Sequence, residues 1–534
     1  NGRRRLTAAV AVPVAAGPAT VPTDPFFGPV GANIMGIMLP VTQGVAQSPL
    51  FGIPSTITPP AVPPTNLLEL ALSLAAEPAP RQAPRLPTMG RLETVAVTGT
   101  TDAGAQPSGS LLWQAVLTGA RWAPESRSAQ HAEGNPGNPA GPDVHAPGVS
   151  VTGALAYDLA LHALKRAQSL IPRPLPGGGM SPGWLFASAG DNFDEPSDIT
   201  NTANTGTGVL LETIAVGCET SWLASLSPPQ PGFTLNQLVQ NVASAMSLPT
   251  PPTNAITVEN EPRIQRQIRR EFFAAKHGFR DAQWSLRRAF AEARELVYIE
   301  SPQFARTARP SGSPQNFELD LVAALAARLA AHPTLRVIIC TPRFSDFDGT
   351  FRSFHRQHYQ ARLEALGNLK AAAGDRVLLF HPVGFPGRVA YIRTTSIIVD
   401  DVWCLVGATH FRRRGMTFDG SATIASFDRQ ITDGYSTKVR NYRRTLMAAK
   451  LNLPAPSLGQ PLSGEWVRLG QPVSTFELVR DLLEQGGLGR IQGIWPGPSD
   501  NSVLPAQPEV ADPDGSNGAT MLTTLAGMLN ELGT

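Results

Sequence analysis

Apolar positions along the chain change rhythm near residue 281. From there helical stripes alternate with short, continuously apolar runs. A helix over 281–294 leads into ELVYIES, one over 317–331 into LRVIICTPR, and one over 357–373 into DRVLLFHPV. AYIRTTSIIV and VWCLVGAT follow as strands, and a helix spans 436–450. Strands that are apolar at every position belong to a sheet covered on both faces, and their alternation with helices defines an α/β class.

Before residue 281 the pattern is sparser. LETVAVT at 92–98 and SLLWQAVLTG at 110–119 read as strands, and ALAYDLALHALKRAQSLI at 154–171 reads as a helix. RIQRQIRREFFAAKH at 263–277 reads as an amphipathic helix with a solvated basic face. Loops rich in Gly, Pro and Asn at 124–148, a polar loop at 186–207 and prolines over 227–256 separate these pieces. Residues 1–88 form a Pro/Ala/Gly-rich arm carrying one amphipathic segment, NLLELALSLAA at 66–76. Beyond 451 a Pro/Gly-rich tail carries short helices at 475–486 and 519–532. These shifts divide the chain into an arm with the reduced start of a first lobe (1–88), the rest of that lobe (89–262), a second lobe (263–450) and a C-terminal extension (451–534).

Composition narrows the function classes. With 42% hydrophobic residues, the 534-residue chain can bury sizeable cores. Its 44 basic and 42 acidic residues leave no bulk field for nucleic acid or an anionic membrane. No apolar run approaches the roughly 20 residues of a membrane helix. Cys218, Cys340 and Cys404 lie far apart, two of them in apolar runs, as buried thiols of a reducing compartment do. A cytoplasmic location is therefore expected. The basic head NGRRR and mildly apolar start raise secretion as the alternative, although Pro13 and Pro18 break that stretch. No cofactor and no metal are expected. PGGGM at 176–180 lacks the strand, Lys and Ser/Thr of a phosphate loop. His355 and His358 sit at i and i+3 without a carboxylate or thiol beside them and read as a solvated helix face.

The candidate chemistry lies in YIRTTSIIVDDVWCLVGATHFRRRGMTFDGS, residues 391–421. Asp400 ends a β-branched run, Gly407 follows, and a basic turn precedes Met416 and Asp419. This frame resembles the second catalytic motif of the phospholipase D superfamily, His-x-Lys, four residues, Asp, six residues, Gly-Ser-x-Asn, then Glu. Counting from Asp400, Arg393 stands in the His place and Thr395 in the Lys place. Ala408, His410 and Ser421 stand in the Ser, Asn and Glu places. The resemblance implies a mechanism in which one His is the nucleophile and a second the general acid, with Lys and Asn holding phosphoryl oxygens. Arg, with a pKa above about 12, can do neither job.

Two more stretches carry the resemblance. DAQWSLRRAFAEARELVYIESPQF at 281–304 is similar to the segment entering the family's YIENQYF signature, with Tyr298, Glu300, Gln303 and Phe304 matching. GPDVHAPGVSVTGALAYDLALHALKRA at 141–167 is similar to the stretch between the two motifs. That order puts the first motif before residue 120, in the register Arg91, Glu93, Thr98, followed by LLWQAVLTGARW. None of the five lysines, Lys165, Lys276, Lys370, Lys438 and Lys450, lies two residues after a His, so no His-x-Lys exists anywhere in the chain.

The resemblance implies a two-lobed phospholipase D-like α/β fold, mixed sheets flanked by helices, with Pro/Gly-rich arms at both ends. The expected function is that of a catalytically inactive relative, a structural or binding component that meets other protein subunits of an assembly. One alternative is an active phosphodiesterase with non-standard residues, His410 among them. Another is a non-catalytic phosphate or lipid-headgroup binder that uses Arg393 and Arg412, near Tyr298, Glu300 and Gln303. Arg393 is expected to pair with Glu93 across the lobes rather than hook an anion. His410 is expected as a hydrogen-bonded core or rim residue, and Arg412, Arg413 and Arg414 as a structural turn.

Overall fold

The computed structural model describes residues 3–7, 94–100, 113–119, 143–152, scattered positions in 155–162, the pairs 173–174 and 180–181, 206–214 and, with short gaps, 279–497. The segments expected as helices at 66–76, 263–277 and 519–532 lie outside the described residues, as does Cys218.

In chain order the first strands are β1 (Arg3–Thr7), β2 (Thr94–Thr100), β3 (Trp113–Thr118), β4 (Asp143–His145), β5 (Gly148–Thr152), β6 (Arg173–Pro174), β7 (Met180–Ser181), β8 (Gly206–Ile214) and β9 (Phe279–Arg280). The α/β region begins with α1 (Asp281–Glu292), β10 (Leu296–Glu300), α2 (Leu321–Ala331), β11 (Arg336–Cys340), α3 (Arg352–Ala373), β12 (Val377–Gly384) and β13 (Arg388–Ile392). It continues with β14 (Thr395–Val399), β15 (Trp403–Gly407), α4 (Arg413–Thr417), β16 (Ser421–Asp428), β17 (Ile431–Thr432), β18 (Tyr435–Ser436) and α5 (Thr437–Lys450). The extension adds α6 (Gly464–Arg468), α7 (Pro472–Glu484) and β19 (Ile491–Gln492).

The result is the expected mixed α/β architecture. Among the described residues a sheet of 11 strands runs β4-β13-β12-β11-β10-β14-β15-β16-β8-β9, with β19 paired to β12. Strands β10, β11 and β12 are mutually parallel, joined by crossover helices α2 and α3. From β14 to β9 the pairing is antiparallel. β4 and β8, from the 89–262 stretch, are thus built into the sheet of the later region. A separate four-stranded antiparallel sheet, β1-β2-β3-β5, lays Ala115 and Leu117 against Ala422 and Ile424 of β16.

Continuous apolar strands need cover on both faces, and the helices supply it. Val297, Ile299, Val337, Ile339 and Ile397 point toward α1, α2 and α3. Leu296, Tyr298, Ile338 and Ile398 point toward α5 and α7. Each fully buried Leu, Ile or Val contributes about 1.5–3 kcal/mol. Helix α2 starts at Leu321 rather than 317 because the Asp320 carboxylate caps it, accepting from the N–H groups of Val322 and Ala323.

Charges under α5 and α7 are paired. Arg443, 0% exposed, donates from Nε and Nη2 to the two Asp401 carboxylate oxygens at 2.6 and 2.7 Å. It also donates to Thr475 Oγ1 at 2.7 Å and to the Leu469 carbonyl at 3.1 Å. Lys450 Nζ lies 3.0 Å from Glu300 Oε1, and Tyr298 donates to the other oxygen of that carboxylate at 2.9 Å. Burial nonetheless holds the Glu300 carboxyl above its ordinary range, with Lys450 pulling the other way.

Candidate functional site

The expected single strand AYIRTTSIIV is interrupted. β13 stops at Ile392 and β14 starts at Thr395, and the two residues between them are tied to distant chain. The Arg393 N–H donates to the His145 carbonyl at 2.8 Å, where β4 runs parallel to β13. Thr394 Oγ1 donates to the Pro147 carbonyl at 2.7 Å and accepts the Gly119 N–H at 3.0 Å. Gly119 has to be a glycine here, because any Cβ would run into the Arg393 carbonyl. The segment that would carry His-x-Lys is therefore the seam between the later sheet and the 118–119 and 145–147 stretches.

The residues expected to match the motif frame shape the local backbone. Asp400 and Asp401 both lie in left-handed backbone, φ 52° and 53°, which Asp tolerates better than most residues. The Asp400 carboxylate accepts three backbone N–H groups, those of Arg294, Glu295 and Leu296, at 2.8, 2.8 and 2.9 Å. That fixes the entry of β10 beside the β14–β15 turn. At Gly407 a Cβ would collide with the backbone of Ala422 and Thr423. Met416 is fully buried in the core beneath α1–α3.

The residues expected in the places of the motif's chemical groups are bonded to neighbours. Thr395 Oγ1 shares a hydrogen bond with Ser301 Oγ at 3.1 Å, and Ser301 Oγ accepts the Phe411 N–H at 3.0 Å. Ser421 Oγ bonds Thr409 Oγ1 at 2.8 Å, which in turn reaches Thr423 Oγ1 at 2.7 Å. Ala408 is buried on the same strand end. Arg393 is 4% exposed. Its expected partner Glu93, and Arg91, lie outside the described residues, as does Asp419. Thr98 falls within β2, opposite Gln114 of β3.

His410 is 5% exposed. Its Nε2 has no hydrogen-bond partner among the described residues. Burial, followed by the positive charges of Arg412, Arg414 and Arg393, drives its pKa well below the usual histidine range. It is thus a neutral imidazole at pH 7. It lacks the imidazolium proton that a general acid would give, and nearby cations oppose its taking one as a base. The basic turn is a short helix, α4, in which Arg413 and Arg414 are buried together with the preceding Arg412.

The histidines of α3 correct the sequence reading. His358 is buried rather than solvated, and its Nε2 lies 3.4 Å from Gln303 Nε2. Burial and then Arg412, His355, Arg362 and Arg414 hold it in the neutral form. His355 is half-buried, its ring 6.4 Å from Tyr359. The buried stripe of α3 reads Phe354, His358, Tyr359, Arg362, Ala365, Leu366, Leu369. Two basic residues in an otherwise apolar stripe were the available signal, and sequence reasoning passed over Arg362. It also passed over His145 as a neighbour of Arg393. Tyr298 and Glu300 point to the opposite face of the sheet, sealed under Lys450, while Gln303 lies on the His358 side. Among the described residues no group of three or more His, Cys, Asp or Glu could hold a metal ion, and no helix is long and apolar enough to cross a membrane.

No protein-family model and no curated protein matches the sequence. Among solved structures the chain is similar to Nuc, a phospholipase D family member from Salmonella typhimurium, at 14% identity. That match covers 32% of this chain and 87% of that one with a TM-score of 0.23. NucT from Helicobacter pylori is similar at 15% identity over 32% and 87% of the two chains, TM-score 0.23. The phosphatidylserine synthase of Haemophilus influenzae Rd KW20 is similar at 11% identity over 43% and 54%, TM-score 0.23.

Proposed function

We propose that this protein is a non-catalytic phospholipase D-like component of a larger protein assembly, with a frame kept for its shape and a site emptied of its chemistry. The observation that supports this best is at the seam. A permanent cation, Arg393, and a hydroxyl bonded to Ser301, Thr395, stand where the reaction needs a nucleophile and a phosphate-holding lysine. The imidazole nearest in the motif, His410, is held neutral among arginines. Losing one acid or base costs about 10²- to 10⁴-fold in rate, and loss of the nucleophile at least as much. Meanwhile Asp400, Gly407 and Met416 keep positions that packing and backbone geometry demand.

The test is turnover. Purified full-length protein is incubated with phosphatidylcholine vesicles and with bis(p-nitrophenyl) phosphate, and no release above the buffer rate is expected. Turnover that disappears in His410→Ala or His145→Ala would establish the active reading instead. For the assembly, size-exclusion chromatography with light scattering on complexes purified from the native host is expected to give a stoichiometric partner. A protein that elutes only alone counts against that part of the reading.

A further inference from the structure

Arg362 is as deeply buried as Arg443, at 2% exposure, yet its surroundings differ. One hydrogen bond is made, from Nη1 to the Arg343 carbonyl, and it is long at 3.4 Å. Nε has no partner among the described residues, and none of them supplies a carboxylate to this guanidinium. A buried cation without a counter-charge is among the most unfavourable arrangements in a folded chain.

The groups around it form a box. The Arg362 guanidinium lies 5.5 Å from the Tyr359 ring centroid. The Tyr359 ring meets that of Trp495 edge-on at 4.4 Å, and Trp495 meets Phe344 at 4.7 Å. Half-buried Arg343 brings a second guanidinium, 4.7 Å from the Trp495 ring and 5.0 Å from Phe344, with Gln492 Oε1 3.4 Å from its Nη1. His381 closes the inner side and is not available as a ligand. Its Nδ1 donates to the Thr341 carbonyl at 2.7 Å and its Nε2 accepts the Trp495 N–H at 3.2 Å. That bond also pins the segment after β19 over the box. Burial draws Arg362 down to about 10, and burial, then Arg362, draws His381 down to about 3. Both directions report a pocket poor in negative charge.

We infer that Arg362 and Arg343, walled by Tyr359, Trp495 and Phe344, form a binding site for a phosphate-class oxyanion, separate from the motif positions around Arg393. Two guanidinium groups, with no carboxylate on them among the described residues, match a dianion, and the planar fork of Arg suits bidentate contact with phosphate oxygens. Arg362 is itself buried, where a low local dielectric strengthens such a contact, and the neighbouring aromatic rings suit an apolar ester group.

The test uses the full chain, calorimetric titration and thermal melting at constant ionic strength with inorganic phosphate, chloride serving as the reference. Phosphate is expected to raise the melting temperature of the wild type. Arg362→Met and Arg343→Gln are each expected to weaken phosphate by about tenfold or more and to abolish the rise. Arg393→Ala is expected to keep it. In chloride, Arg362→Met is expected to melt no lower than the wild type, a result that a purely structural arginine would not give. Titration with dihexanoyl phosphatidic acid separates the sources: tighter binding than inorganic phosphate identifies a lipid headgroup, weaker binding a free or small-molecule phosphate. Equal phosphate binding by wild type and Arg343→Gln, or a rise lost in Arg393→Ala and kept in Arg362→Met, overturns the proposal.

Discussion

Beneath α5 and α7, Arg443 meets both oxygens of Asp401 and Lys450 meets Glu300; beneath α3, Arg362 meets one distant carbonyl, and His358, His381 and His410 are all pushed to their neutral forms by burial and neighbouring cations. Both regions flank the same strands and both exclude water. The first resolves its electrostatics internally, so its polar groups serve the packing of helices on the sheet. In the second, among the described residues, no carboxylate meets the Arg362 guanidinium. Structure alone explains the first arrangement. At Arg362 the completing charge would be that of the proposed oxyanion.

The largest effect that probes this contrast is at Arg443. Arg443→Met leaves the Asp401 carboxylate buried and alone and is expected to cost about 3–5 kcal/mol in urea unfolding. Combining it with Asp401→Asn, which removes the lone charge and still suits a φ of 53°, should recover part of that loss. The same change at Arg362 is expected to cost nothing measurable in chloride, because no ion pair is broken. Equal costs at the two arginines would break the contrast. Next comes Asp400→Ala, which removes the acceptor of three N–H groups and the residue suited to a φ of 52°, with an expected loss of about 2–3 kcal/mol. Asp400→Asn should lose less.

Acid sharpens the contrast further. An unfolded histidine takes up its proton near pH 6.5, whereas His381 in the fold does so only near 3. Between those values the unfolded chain binds more protons, so stability is intact above about pH 6.5 and falls as the pH drops, by about 1.4 kcal/mol per unit for His381. Urea midpoints measured from pH 7.5 to 4.5 should show this slope, and His381→Gln should flatten it. The smallest effect is at the surface: Arg480 lies 3.8 Å from Glu484 in an exposed i,i+4 pair. Arg480→Ala is expected to change stability by less than about 0.5 kcal/mol.

Local pattern carried most of the later fold. The α/β alternation from 281, the apolar strands and the helices at α1, α5 and α7 all follow from periodicity, because each buries a stripe that the sequence displays. The break at Arg393 and Thr394 does not follow, since its cause is hydrogen bonding to His145, Pro147 and Gly119, residues with no local tie to it. Motif spacing singled out Asp400 but not its structural role. That Asp400 anchors the start of β10 is visible only in three dimensions. His358 was misjudged because a polar residue in a helix reads as solvated unless the neighbours of its whole stripe are weighed.

The bond from Gly119 to Thr394 spans 275 residues of sequence. A ribosome adding 5–20 residues per second needs about 15–55 s to cover that distance. For most of that interval β4, and from residue 214 onward β8, have been made while β13 and β16, their pairing partners, have not. The nascent chain therefore emerges with unsatisfied strand edges, and its yield in cells should depend on whatever shields those edges until the second half is translated.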